Sequence, residues 1–226
     1  PPELVNENTV LGTGYLPHGA DEVYKTQDDL YLIGTSELAL VAYHQDEVLP
    51  EGKLPLRYVG FSSCFRREAG TYGQDTRGIF RQHQFDKVEL VSFVKPEDSA
   101  GELKRILDIE EEIVQTLDLP YQIVEMSTGD LGIQAAKKYD IETWMPGQDK
   151  YRETHSCSNT TDFQARRLNI RYKTADGKNE FIHTLNGTAI AIGRMLIAIL
   201  ENGQQSDGSI AMPKVLEPYL GFSKIG

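Results

Sequence analysis

The sequence predicts an α+β fold, an antiparallel sheet flanked by helices, and three observations carry that prediction. Strand-like and helix-like segments follow one another without regular strand–helix–strand alternation, which disfavours a doubly wound parallel sheet. The Ala175-Asp176-Gly177-Lys178 turn between residues 171–174 and 181–185 marks a hairpin, a connection that joins antiparallel strands. Residues 96–117 open with Pro-Glu-Asp and place Leu103, Ile106, Leu107, Ile109, Ile113, Val114 and Leu117 at helical spacing.

The remaining elements follow in order. Residues 10–19 are rich in Gly and Pro and predict a loop. It leads into a short buried strand, Leu30-Tyr31-Leu32-Ile33, which Gly34 ends. Residues 36–43 predict a helix with Leu38, Ala39, Leu40 and Ala42 apolar, Thr35 or Ser36 placed to cap it, and Glu37 in the first turn. Residues 56–65, 78–93 and 121–126 read as strands. Residues 135–144 fit a helix or a strand followed by a turn, and residues 151–156 a polar strand edge. Residues 188–201 predict a long helix opening at Gly187, with Ala189, Ile192, Met195, Leu196 and Ile199 on one face and Arg194 about two turns inside. No internal repeat interrupts the chain.

With 226 residues, 39% of them hydrophobic, the chain predicts one domain over residues 1–226 with a substantial core. A net charge of −11 argues against broad, non-specific capture of nucleic acid, which needs clustered Lys and Arg. Cys64 and Cys157 are far apart and lack metal-ligand spacing, so neither a zinc site nor a disulfide framework is indicated, and reduced thiols in a cytoplasmic protein fit best. The longest apolar stretch, around 189–200, is too short to cross a bilayer, and no signal peptide is visible, so no membrane partner is expected. The opening Pro1-Pro2-Glu3 predicts a fragment of a longer protein.

Four polar clusters carry chemistry-bearing groups. Thr35-Ser36-Glu37 reads as a helix cap or as part of a pocket. Phe65-Arg66-Arg67-Glu68 faces the Gly-rich residues 70–78 and is followed by Arg77-Gly78 and Phe85-Asp86-Lys87-Val88-Glu89. An arginine is a planar fork of donors suited to phosphate or carboxylate, and an aromatic ring can carry a flat base. A solvated salt-bridge ladder is the alternative, but glycines that let a backbone approach a ligand favour a nucleotide site. Glu153, Thr154, His155, Ser156, Ser158 and Asn159 offer oxygen ligands of the kind that hold Mg²⁺ while phosphate and water fill its other positions; His155 alone reads as structural. Asn186-Gly187-Thr188 reads as a turn and cap or as a pocket wall, and Arg194 on an apolar helix needs an anionic partner, phosphate or carboxylate.

Taken together, these clusters resemble the catalytic domain of the seryl-tRNA synthetases, class II aminoacyl-tRNA synthetases. Phe65-Arg66-Arg67-Glu68 through Phe85-Asp86-Lys87-Val88-Glu89 resembles class II motif 2, and residues 187–194, Gly-Thr-Ala-Ile-Ala-Ile-Gly-Arg, resemble motif 3. The seryl likeness rests on Gly12-Thr13-Gly14, Thr35-Ser36-Glu37, Glu68-Ala69-Gly70, Arg77-Gly78, His83-Gln84-Phe85-Asp86-Lys87, Ser156-Cys157-Ser158-Asn159, Asp162-Phe163-Gln164-Ala165-Arg166-Arg167 and His183-Thr184-Leu185-Asn186-Gly187. It covers essentially the whole chain.

The resemblance implies the class II catalytic fold and an ATP-dependent ligase of protein biosynthesis. L-serine is converted to seryl-adenylate, and the seryl group then passes to serine tRNA and to selenocysteine tRNA. Arg66 would hold the α-phosphate and the serine carboxylate, and Arg194 the γ-phosphate, which with Glu68 makes the catalytic set. Phe85 and the motif 3 helix would sandwich adenine, and Glu68 would bond its amino group. Arg67, Glu153, Thr154, His155 and Ser156 complete the ATP site, with Glu153 and Ser156 as Mg²⁺ ligands. Thr35, Ser36, Glu37, Arg66, Glu89, Asn186 and Thr188 would surround serine. Ser36 stands where the family usually has Ala, Thr154-His155 replaces a more typical Ile-Ser pair, and Thr188 stands where Ser is common. The family's N-terminal coiled-coil arm, which grips its tRNA, and most of motif 1, which builds its dimer interface, have no counterpart here; the parent is expected to be a homodimer and this piece to bind tRNA poorly. Two other readings share these residues: a paralogue that loads a small amino acid onto a carrier protein, and a catalytically silent interaction domain, which the five charged groups Arg66, Glu68, Glu89, Glu153 and Arg194 count against.

Overall fold

In the computed structural model, which describes residues 1–69, 75 and 78–226, the chain opens with β1 (Leu4–Val5), α1 (Glu7–Gly12), β2 (Tyr31–Leu32), α2 (Glu37–Ala42) and β3 (Val48–Pro50). Two long strands follow, β4 (Leu56–Phe65) and β5 (Gln84–Val94), then α3 (Ser99–Thr116), β6 (Tyr121–Glu125), β7 (Lys137–Met145), β8 (Lys150–Thr161) and α4 (Phe163–Arg167). The hairpin β9 (Arg171–Lys173) and β10 (Asn179–Phe181) precedes β11 (His183–Ala191), α5 (Ile192–Asn202), β12 (Ile210–Ala211), α6 (Glu217–Leu220) and β13 (Lys224–Ile225).

Six strands form one antiparallel sheet in the order β4-β5-β11-β8-β7-β6. Strand alternation sorts each strand's side chains between two faces. On β5, Ser92 and Val94 turn to the back, where Leu103, Ile106 and Val114 of α3 and Met195 and Ala198 of α5 close a core with Ile141, Cys157 and Leu185. Val91 and Phe93 turn to the front, against Val41 of α2 and Ala165 of α4. Each such fully buried aliphatic or aromatic side chain contributes roughly 1.5–3 kcal/mol. The front face of β5 is apolar only at this end; Phe85, Lys87 and Glu89 continue the same alternation, and there the sheet lies open as a cleft.

Two contacts fix α3 on the back. The Glu102 carboxylate accepts hydrogen bonds from Arg57 Nε and Nη2, both at 2.7 Å, and from Ser92 Oγ at 2.8 Å, tying the helix to β4 and β5. At Gly187 of β11 the helix comes so close that an added Cβ would lie 2.3 Å from Ile106 Cγ2 and 2.8 Å from Glu110 Oε1.

Several boundaries differ from the sequence reading, for physical reasons. Residues 10–12 end α1 instead of opening a loop, because Asn6 caps that helix by accepting from Thr9 N at 2.9 Å. The element expected at 135–144 is strand β7, which starts at Lys137, and the strand expected at 78–93 starts only at Gln84. The polar segment 151–156 belongs to an internal strand, not an edge: β8 lies between β11 and β7, where paired hydroxyls such as Thr154 and Thr143, 2.7 Å apart, satisfy one another. The hairpin partner of β9 is β10, and His183 to Leu185 lie on β11. Residues 188–191 are strand, not helix. The open ladder of β5 captures the β-branched Thr188 and Ile190, pairing Thr188 with Glu89 and Ile190 with Val88, so Arg194 falls in the first turn of α5. Among the described residues, no helix is long and apolar enough to cross a membrane.

Candidate active site

The cleft is built by the front faces of β5, β11 and β8. Phe85, Lys87 and Glu89 alternate along β5, and Asn186 and Thr188 along β11. On β8, Glu153 and Ser156 are three residues apart and on a regular strand would face opposite ways. A β-bulge reconciles them: Ile141 pairs with His155 and Glu142 with Glu153, so one step on β7 matches two on β8, with Thr154 the additional residue. Glu153, Ser156 and Ser158 therefore all line one cavity, of about 290 Å³, with Glu37, Glu89, Asn186 and Thr188.

One end of the cavity is acidic and tightly ordered. Glu37 is 1% exposed; its Oε2 accepts from Tyr15 Oη at 2.8 Å and Asn186 Nδ2 at 2.6 Å, and its Oε1 from Gln164 Nε2 at 2.7 Å. Burial, then the neighbouring Glu89, pushes the Glu37 carboxyl up, while the bonds from Gln164 and Tyr15 oppose the shift. Glu89 pairs with Lys87 at 2.5 Å and receives the Thr188 hydroxyl at 3.5 Å. Two buried carboxylates at the end of a small polar cavity suit a ligand ammonium group flanked by hydroxyl and amide contacts.

The other end carries guanidinium groups. Arg66 follows β4, donates from Nε to the Gly34 carbonyl at 3.3 Å, and lies 5.3 Å from the Phe85 ring centre. It borders both the acidic cavity and a second recess containing Phe85, Glu68, Glu153 and Arg194. Arg194 donates from Nη1 to the Glu153 carbonyl at 2.9 Å and lies 3.5 Å from Glu153 Oε1. Burial pushes the Glu153 carboxyl up, but Arg194, followed by Lys138, Arg66 and Lys87, outweighs it and the net direction is down. Glu68 adopts a left-handed backbone, φ 52°, and accepts from Arg81 Nη1 at 3.1 Å. Arg81 also reaches Asp75 at 3.3 Å. An aromatic ring, a carboxylate and two guanidiniums around one recess offer the contacts that a flat base and anionic phosphates take.

The structure gathers Arg66, Glu68, Phe85, Glu153, Ser156, Arg194, Glu37, Glu89, Asn186 and Thr188 around this cleft. Others of the expected set are turned away from the cleft or have their polar groups engaged by the protein itself. Arg67 is exposed, its backbone N–H bonded to the Glu22 carbonyl at 2.9 Å. Thr35 and Ser36 are buried; Ser36 donates to the Gly60 carbonyl at 3.2 Å, and Thr35 Oγ1 accepts from Glu37 N at 3.3 Å. Thr154 borders the recess, with its hydroxyl engaged by Thr143. His155, on the opposite side of the bulge, is 1% exposed and turned into the back of the sheet beside Thr154. Burial lowers its imidazole to about 4 and keeps it neutral at pH 7. Gly70 and Arg77 lie outside the described residues. Tyr15, Gln164, Lys87 and Arg81 were not expected. Lys87 had a signal, because it falls between Phe85 and Glu89 at strand period; Gln164 lies within the 162–167 stretch that carries the family likeness, but nothing local ties it or Tyr15 to Glu37, because their bonds span 127 and 22 positions. Among the described residues, no group of three or more His, Cys, Asp or Glu is placed to hold a metal by itself.

Glu110 sits behind this site, fully buried against Gly187 and Cys157. Burial, then repulsion from Glu89, raises its carboxyl well above the ordinary value. The folded state therefore keeps this proton to higher pH than the unfolded chain does. The associated stability is complete below the ordinary carboxylate range and is lost as pH rises through the folded value. Glu110→Gln is expected to raise Tm at pH 8, by about 2–4 °C for each kcal/mol recovered, with the gap over the parent closing towards pH 4. Melting curves across that range check it, and a pH-independent gap would contradict it.

Comparison with known proteins follows the same outline. A sequence model described as the tRNA synthetase class II core domain (G, H, P, S and T) matches residues 22–203. The serine–tRNA ligase of Sulfurihydrogenibium sp. is 56% identical over 220 residues, covering 97% of this chain and 53% of that protein. That of Bacillus subtilis is 55% identical over 227 residues, covering 100% and 53%. The chain thus spans about half the length of the curated relatives it matches. Among solved structures, seryl-tRNA synthetase from Pyrococcus horikoshii complexed with ATP superposes with a TM-score of 0.96 at 52% identity, covering 100% of this chain and 51% of that one. Giardia lamblia prolyl-tRNA synthetase in complex with prolyl-adenylate, at 19% identity and a TM-score of 0.81, shares the fold.

Proposed function

We infer the function from the family: the chain belongs to the tRNA synthetase class II core family (G, H, P, S and T) and carries its antiparallel fold. Within that family we propose that it is the catalytic half of a serine–tRNA ligase, which activates L-serine with ATP and passes the seryl group to serine tRNA and selenocysteine tRNA. The observation that carries this reading is the pairing of a buried, bonded Glu37 and Glu89 at one end of a small cavity with Arg66 at the junction to the nucleotide recess.

On this reading the serine ammonium lies between Glu37 and Glu89, and its hydroxyl bonds to Asn186 and Thr188. A cavity of this size lined by such groups rejects alanine, which leaves them unpaired, and excludes larger side chains by volume. The serine carboxylate is already ionised and is itself the nucleophile, so the first step needs no general base. Its oxygen attacks the α-phosphorus, and the bond to the pyrophosphate oxygen breaks. Catalysis is then positioning plus charge neutralisation. Arg66 bridges the two reacting groups, Arg194 holds the γ-phosphate, Phe85 and the start of α5 enclose adenine, and Glu68 accepts from its amino group. Glu153 and Ser156, brought to one face by the bulge, fit an oxygen-ligand site for Mg²⁺ completed by phosphates and water; when bound, the ion neutralises phosphate charge. In the second step a terminal ribose hydroxyl of the tRNA attacks the acyl carbon and AMP leaves.

We assign the parent protein to the cytoplasm, in keeping with two buried free thiols, Cys64 and Cys157. We also assign it a homodimeric state. The edge strand β4 leaves Val59 69% and Phe61 62% exposed, an apolar face that a second copy would cover, and sedimentation velocity of a Phe61→Asp variant should then show loss of the two-chain particle.

Amino-acid-dependent exchange of labelled pyrophosphate into ATP tests the activity. Exchange with serine and little with alanine, glycine or threonine is the expected result. Exchange with alanine or glycine instead would point to loading of a carrier protein, and none with any amino acid would overturn the reading.

A further inference from the structure

We propose that Arg152, which contacts none of the groups assigned to serine, is the positioning residue of the nucleotide end of the cleft, holding both the Glu68–Arg81 pair and Arg194 in place. The inference rests on the nucleotide reading above. Arg152 follows the turn into β8, and its side chain is 11% exposed. Its guanidinium forks onto the Asp75 carboxylate, with Nη1 donating to Oδ1 at 3.1 Å and Nη2 donating to Oδ2, and Nη1 also meets Gln148 Oε1. Asp75 turns its second partnership to Arg81 Nε at 3.3 Å, and Arg81 Nη1 continues to Glu68 at 3.1 Å. The result is a line of alternating charge, Arg152, Asp75, Arg81, Glu68, that ends on the carboxylate assigned to the adenine amino group.

A second arm runs through Phe80. Its ring is buried and meets two guanidiniums, with Arg152 Cζ at 3.8 Å and Arg194 Cζ at 4.7 Å from the ring centre. Two cations close to one ring each gain from its negative face but repel one another. Asp75 neutralises the Arg152 side of that stack. The bonds from Arg152 also hold the Asp75 carboxyl below its ordinary value, so the carboxylate stays charged for Arg81. Arg152 therefore sets the reach of Arg194 through packing and of Arg81 and Glu68 through charge. A planar fork that stacks and binds two oxygens at once is a task for Arg and not for Lys.

The test uses the whole protein that carries this chain, with Arg152→Met, Arg152→Lys and Asp75→Asn. In pyrophosphate exchange, Arg152→Met is expected to raise KM for ATP about tenfold, while KM for serine stays within about twofold; Arg152→Lys should fall between it and the parent. Asp75→Asn should reproduce part of the ATP effect, and adding it to Arg152→Met should cost less than the sum of the two. Calorimetric binding of a β,γ-methylene ATP analogue gives the same comparison without turnover. Equal changes in the two KM values, or no change in either ATP readout, would overturn the proposal. If Arg152→Met fails to fold, the ATP-selective effect must be found in Arg152→Lys and Asp75→Asn, and its absence there has the same meaning. A parent protein that binds the analogue but exchanges with no amino acid would sink the functional reading; weaker analogue binding by the variants would still support Arg152.

Discussion

Arg66→Ala is expected to slow serine-dependent pyrophosphate exchange by about 100- to 1000-fold. The reason is position. Arg66 borders both the acidic cavity and the nucleotide recess, so on the proposed reaction its guanidinium meets the attacking carboxylate and the α-phosphate together, where negative charge concentrates in the transition state. A group that bound only one substrate would raise one KM; a group that bridges both should lower kcat and reduce kcat/KM for each. Folding should be little affected, because among the described residues the Arg66 side chain makes one hydrogen bond, to Gly34, and lies over the Phe85 ring. Arg66→Lys restores a charge without the fork and should recover only part of the loss. Exchange kinetics alongside a melting curve decide the matter, and a variant with normal kcat would remove Arg66 from the reacting centre.

The second large effect is structural. Gly187→Ala places a methyl 2.3 Å from Ile106 Cγ2 and 2.8 Å from Glu110 Oε1, closer than real contacts allow, and β11 is clamped between β5 and β8. Overpacking of this kind costs about 1–3 kcal/mol, and in a chain of this size each kcal/mol lowers Tm by about 2–4 °C. The strand should yield towards the front, shifting Asn186 and Thr188 on either side, so KM for serine should rise more than KM for ATP. Ile106→Ala removes the nearer clash, and the double variant should be more stable than the two single losses predict. An unchanged melting temperature would mean that α3 does not press on β11 as described.

What the sequence reveals about this site follows the range of the interactions. Arg66, Glu68, Phe85 and Glu89 are legible because the end of β4 carries the first two and the alternation along β5 the other two, each at a local spacing. The mixed order of elements was enough to name the fold class. The start of α5 was misplaced because Ala189, Ile192, Met195 and Ile199 satisfy helical period, whereas pairing of Thr188 and Ile190 with β5 reaches about a hundred residues back and leaves no local mark. Glu37 does line the cavity, but its environment is hidden in the sequence: Tyr15 comes from a Gly-rich turn and Gln164 from α4, and neither has a period that points to Glu37. Ser36 and His155 failed the other way. Each stands beside a residue that lines the cavity, and alternation or the bulge turns it from the cleft.

That bulge has a consequence for how this protein can change over evolutionary time. Facing in a strand is a matter of odd and even, and Thr154 is the unit that makes Glu153 and Ser156 agree. Substitutions along β8 leave the count intact and can be graded, improved or reversed one at a time. A single-codon deletion or insertion between positions 153 and 156 exchanges inside for outside in one event, with no halfway form. Length in this stretch is therefore expected to drift far less than identity, and lineages should differ here in which residues they carry, not in how many.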